Sequence, residues 1–184
     1  MEYFKKILKE SVPSIVTVTF ISLFAGGLLS ASEEALEMFP IILLVLPALN
    51  SMLGDIITVF VSRVSSHFFI GSMPVEFKLN DRGKTDIKGL MGTFLICVVS
   101  IFVMGYGLGY LTDLPIQNPI LVSLSIFMAS LILIVLFFVI FFIFSVYFFK
   151  KGNDPNNVLL PFITIMGDAL VPLMILLFIS VFLL

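Results

Sequence analysis

The chain has 184 residues, of which 60% are hydrophobic and 12% charged, with 21 Phe, no Trp and a formal charge of -2; its mean hydropathy is +1.21. That composition excludes a soluble globular domain and gives nucleic acid nothing to bind, leaving a polytopic membrane protein. A single cysteine, Cys97, lies in an apolar run, so an internal disulfide is excluded and a thiolate metal site is not expected.

Residues 1–12 carry Lys5, Lys6 and Lys9 beside Tyr3, Phe4, Ile7 and Leu8, a pattern that suits a short amphipathic helix at a membrane surface. No small-residue cleavage pattern follows, so this segment reads as retained. The first expected span covers 13–30. An acidic loop with Glu33, Glu34 and Glu37 leads to the second, over 40–70. This stretch is long enough to enter a bilayer, yet Pro47, Asn50, Ser51, Gly54 and Asp55 interrupt it, which predicts a broken or strongly tilted helix.

A polar, turn-rich connection over 72–88 precedes span 3 (89–111), where Gly105, Gly107 and Gly109 offer a close approach to another helix. Span 4 (119–149) is almost purely aliphatic and aromatic and reads as a lipid-facing or scaffold helix. Span 5 (158–184) holds Asp168, with Pro172 as an expected kink. The expected fold is therefore an all-α membrane protein of five spans in one domain.

Five spans place the termini on opposite sides. All ten basic residues fall on one of those sides: three ahead of span 1, Arg63 at the end of span 2, four in the 72–88 connection, and Lys150 and Lys151 before span 5. The positive-inside rule makes that side cytoplasmic and leaves the C-terminus outside a multi-pass protein of the cell membrane.

A carboxylate deep in a bilayer costs at least about 2.5 kcal/mol, so it faces a partner, an ion or water. Asp55 and Asp168 are the two such groups. With neighbouring Gly and Pro that free backbone carbonyls, they supply the hard oxygen ligands that Mg²⁺ prefers. Asn50 and Thr164 offer further oxygens, or serve as interhelical hydrogen-bond partners. Asp154 stands ahead of span 5, where it concentrates cations at a pore mouth or caps the helix. Arg63 reads as an interfacial anchor or a carboxylate partner, and His67, the one histidine, as a satisfied polar contact.

In order, Pro47-Ala48-Leu49, Gly54-Asp55 and Ser62-Arg63-Val64-Ser65 are followed by Asp154-Pro155-Asn156-Asn157, Pro161-Phe162-Ile163-Thr164 and Gly167-Asp168. This series resembles the membrane domain of MgtE and of solute carrier family forty-one, magnesium channels and transporters, over essentially the whole chain. The resemblance implies a homodimer with spans 2 and 5 lining a cation path and Asp168 as the main pore carboxylate. It also implies Mg²⁺ as the bound and transported ion, with no prosthetic group. The chain departs from the family in carrying Asp55 where Asn is usual and Ile57 where Gln or Glu often follows. The soluble gate and CBS modules of bacterial MgtE have no counterpart in the sequence, so regulation through them is not expected.

Two other readings compete. Glycine before each membrane aspartate suggests an intramembrane aspartyl protease, but its G-x-G-D motif fails at Met52 and Ile165, and Pro47-Ala48-Leu49 precedes both aspartates instead of following them. A non-transporting scaffold explains the Phe-rich spans and leaves the cost of Asp55 and Asp168 unexplained.

Overall fold

A computed structural model of the chain describes residues 39–182 and, before them, 12, 15–17, 19–23, 26, 27 and 30. The early positions are helical and mostly exposed, Phe20 and Leu23 both at 69%. The amphipathic helix expected over 1–12 lies outside the described residues, Val12 excepted, as does nearly all of the acidic loop. Beyond Phe39 come four helices: α1 (Pro40–Phe69), α2 (Asp81–Leu111), α3 (Pro119–Lys150) and α4 (Pro155–Phe182). Each is long and apolar enough to cross a membrane, and no strand occurs among the described residues.

The helix starts follow from local chemistry. Pro40 and Pro119 open α1 and α3, where a missing N–H leaves nothing unsatisfied. Asn80 caps α2: its side chain accepts from the Gly83 N–H at 3.0 Å, with Asp81 in the first turn favouring the positive end of the helix dipole. The helix thus begins well ahead of the span start at Gly89, because the polar residues 81–88 form its first two turns. Asp154 caps α4 by accepting from the Asn156 N–H at 2.9 Å.

Of the two forms expected for span 2, a broken or a strongly tilted helix, the break is not present. α1 runs unbroken through Pro47, and its 30 residues reach roughly 45 Å at 1.5 Å per residue, longer than a hydrocarbon core of about 30 Å. A helix of that length fits a bilayer by tilting or by carrying its polar C-terminal turns into the headgroup region.

α1 is the hub, packing on α2, α3 and α4, while α3 and α4 also pack together and α2 barely meets α3. Leu49, Leu53, Ile57 and Phe60 of α1 are fully buried against Ile126, Phe137 and Phe141 of α3 and Ile163 of α4. Phe60 and Phe138 meet edge to face at 4.9 Å, and Phe68 lies 5.1 Å from Phe149, so α1 and α3 run parallel. α3 is therefore a scaffold helix with one buried face, carrying the buried Ser125, Ser130 and Ser145, and one apolar face left exposed.

Of the three glycines expected to admit a neighbour, Gly105 and Gly109 do so, being buried against Val45 and Ile41 of α1. Gly107, turned away from that face, has open space around it.

Candidate ion site between α1 and α4

Three side-chain links fix the register of α1 and α4: Asn50 with Asp168, Ser62 with Asn156 and Ser65 with Asp154. Numbers rise along one helix as they fall along the other, so the two run antiparallel. At one end the seam is closed, with Ser65 Oγ donating to Asp154 Oδ1 at 3.1 Å and Ser62 Oγ to Asn156 Oδ1 at 3.2 Å. Further along it opens into a cleft of about 440 Å³.

From α1 the cleft is lined by Leu46, Pro47, Asn50, Ser51, Gly54 and Asp55, and from α4 by Thr164 and Asp168. Four of the residues singled out in the sequence, Asp55, Asp168, Asn50 and Thr164, thus share one cavity. Asp154 is not among its lining. Its Oδ1 takes the Asn156 N–H and the Ser65 hydroxyl, which is the work of a helix cap and an interhelical tie.

Polar contacts in the cleft are long. Asn50 Nδ2 donates to Asp168 Oδ1 at 3.5 Å, Ser51 Oγ to Asp55 Oδ2 at 3.4 Å, and Thr164 Oγ1 to the Leu160 carbonyl at 3.4 Å. At those lengths the bonds are weak, and the oxygens are available to a stronger partner. Pro172 in α4 has no N–H to give the carbonyl four residues back, which is that of Asp168. The cleft therefore offers carboxylate and hydroxyl oxygens beside the Asn50 amide. These are the ligands of a hard cation. Among the described residues, no group of three or more His, Cys, Asp or Glu is placed to hold a metal ion, so a cation held here would need water or oxygens from elsewhere to complete its shell.

A second polar cluster ties α1 to α2. Arg63 Nε and Nη2 both lie 2.7 Å from Asp86 Oδ1, and His67 Nε2 lies 3.0 Å from Asp86 Oδ2. Asp86 is buried, and the other His67 ring nitrogen meets Ser72 Oγ at 2.8 Å. Both ring nitrogens are therefore engaged, as a satisfied polar contact requires, and the partner of Arg63 is Asp86. Sequence reasoning missed Asp86, which sits among Lys84 and Lys88 and looks like a loop charge. The signal was a stripe at helical spacing, Gly83, Asp86, Leu90, Phe94 and Val98, that continues the buried face of α2.

Compared with known protein families, residues 46–179 match the model of MgtE, a divalent cation transporter. The chain belongs to the MgtE family. No curated protein and no solved structure gives a significant match. The match to MgtE begins in α1 at the edge of the cleft and ends in α4, so every cleft residue lies inside it. MgtE membership, four membrane-length apolar helices and an oxygen-lined cleft together describe an integral membrane protein of a divalent cation transport family. Neither the peptidase reading nor the scaffold reading gains support from them.

Proposed function

We propose that the chain moves Mg²⁺ across the cell membrane as a homodimer, along a path lined by α1 and α4 in which Asp168 is the principal carboxylate and Asp55 and Thr164 are accessory oxygens. The observation that carries this reading is that Asp55 and Asp168, on different helices, line one cleft and are exposed on the single chain. Facing hydrocarbon, each would cost several kcal/mol. A second copy set against the same side covers both and turns the open cleft into an enclosed, hydrated path with four carboxylates near a two-fold axis.

Mg²⁺ suits this arrangement because it gives up water reluctantly and is commonly held by one or two carboxylates with several waters retained. Two carboxylates per chain are enough for a hydrated ion, where a dehydrated one would need a fuller cage. The basic residues support an orientation with the α1–α2 and α3–α4 connections in the cytoplasm. The tied seam at Ser65 and Asp154 then lies toward the cytoplasm, and the cleft toward the membrane centre.

The test is Mg²⁺ uptake by liposomes holding the purified protein, with and without a sodium or proton gradient, beside a mass measurement in nanodiscs. Uptake and a two-chain mass are expected. Liposomes no more permeable to Mg²⁺ than empty ones, or a monomer with full transport, would contradict the reading.

A further inference from the structure

Among the described residues, Asn50 is the side chain that links α1 to α4 inside the cleft by a hydrogen bond, through Nδ2 at 3.5 Å from Asp168 Oδ1. An ionised carboxylate only accepts hydrogen bonds, so the nitrogen side of the carboxamide must face Asp168, and the oxygen side is thereby turned to another neighbour. That oxygen, Oδ1, is buried and has no hydrogen-bond partner. A buried acceptor without a donor is destabilising, and an apolar side chain of the same size would not suffer that loss. The only other buried side-chain polar atom without a partner among the described residues is Ser130 Oγ on α3, which does not line this cleft.

We infer that Asn50 is a specificity-determining residue of the ion path: its amide oxygen takes the cation, or a water of the cation's shell, while its amide nitrogen holds Asp168 within reach of the same ion. The inference rests on the proposal that the cleft carries a divalent cation. It adds a residue whose two ends do different work. The Ser51–Asp55 pair lies within one helix and keeps its geometry however α1 and α4 are spaced. Asn50 and Asp168 sit on different helices, so their separation changes with the spacing of the seam. An ion or its water that meets both residues is thereby sensed through the spacing of the two helices.

Shell chemistry then sets the direction of selectivity. A water bound to Mg²⁺ is a polarised donor, well suited to an acceptor that lacks one. Ca²⁺ sheds water more readily and takes six to eight oxygens in flexible geometry, so it depends less on any single acceptor. Loss of Asn50 should therefore weaken Mg²⁺ more than Ca²⁺.

The experiment compares Asn50→Leu, Asn50→Ala and Asp168→Asn with the parent in proteoliposomes, using Mg²⁺ and Ca²⁺ uptake and thermal unfolding with and without Mg²⁺. Asn50→Leu keeps the side-chain size and removes both polar ends. It should raise the KM for Mg²⁺ about tenfold, the equivalent of one hydrogen bond, and lower the Mg²⁺ to Ca²⁺ ratio. Its unfolding temperature without ion should equal or exceed the parent's, while the rise that Mg²⁺ produces in the parent is lost. A merely structural Asn50 would give the reverse, with lower stability in the absence of ion and an unchanged KM. If Leu at this position does not fold, Asn50→Ala decides on KM and ion ratio alone. Parental KM and ion ratio in a folded Asn50 variant, with uptake lost in Asp168→Asn, would overturn this inference and leave the cleft as the path. Parental uptake in Asp168→Asn would instead remove the reading on which it rests.

Discussion

Val45 of α1 sits so closely over Gly105 of α2 that a β-carbon on the glycine would lie 2.5 Å from Val45 Cγ1. Neither backbone can retreat cheaply, because Gly109 makes a second close approach four residues on, where a β-carbon would stand 3.1 Å from Ile41 Cδ1. Gly105→Ala should therefore destabilise the protein by about 1–3 kcal/mol, the range for overpacking a filled interface. Gly107→Ala, in open space, should be neutral or stabilising by up to about 1 kcal/mol through helix propensity. Unfolding in detergent checks both, and Val45→Ala should rescue the first. Equal effects of the two alanines would mean that α2 does not pack on α1 through this face.

Asp86 makes an asymmetric prediction. It is buried, whereas the Arg63 side chain is 56% exposed and can turn to water when its partner is lost. Arg63→Ala strands the carboxylate with His67 alone and should cost about 3 kcal/mol. Asp86→Ala should cost less, about 1–2 kcal/mol. The reverse order in thermal or denaturant unfolding would show that the cluster is held from the arginine side.

For Asp154 the capping geometry predicts that charge matters less than the oxygen. Asparagine also caps helix N-termini, so Asp154→Asn should unfold like the parent, whereas Asp154→Ala should lose about 1 kcal/mol or more. Transport by folded Asp154→Asn should stay near the parental level. A fall as deep as that of Asp168→Asn would show that the carboxylate acts on the ion at the end of α4.

Orientation is tested by labelling. In a Cys97→Ser background, Arg82→Cys should be reached by a membrane-impermeant thiol reagent only from the cytoplasmic side, and Asp113→Cys, in the α2–α3 turn, only from outside. Labelling of position 82 in intact cells would invert the topology.

Asp55, Asp168, Asn50 and Thr164 were legible in the sequence because polar atoms inside apolar runs are costly, and a fold gathers such atoms where they serve one another. Asp86 escaped for the opposite reason. Its neighbours Lys84 and Lys88 make the segment look solvated, and average polarity does not reveal that one charge in three turns inward; the Asn80 cap and the stripe from Gly83 to Val98 were the available signs. The buried face of α3 was hidden by the lipid itself. Hydrocarbon is as apolar as a leucine side chain, so hydropathy cannot separate a lipid-facing surface from a packed one, and only Ser125, Ser130 and Ser145 mark the packed side. Pro47 suggested a break that α1 does not make, because packing on three neighbours offsets one lost backbone bond.

The central claim is that Asp168 carries the ion, and Mg²⁺ uptake by liposomes containing equal amounts of parent and Asp168→Asn, each shown to have the same mass in nanodiscs, tests it most directly. Asparagine keeps the shape and removes the charge, so the hard cation loses its strongest attraction and uptake should fall at least about tenfold. Uptake by Asp168→Asn at the parental rate would make the carboxylate structural and contradict the account.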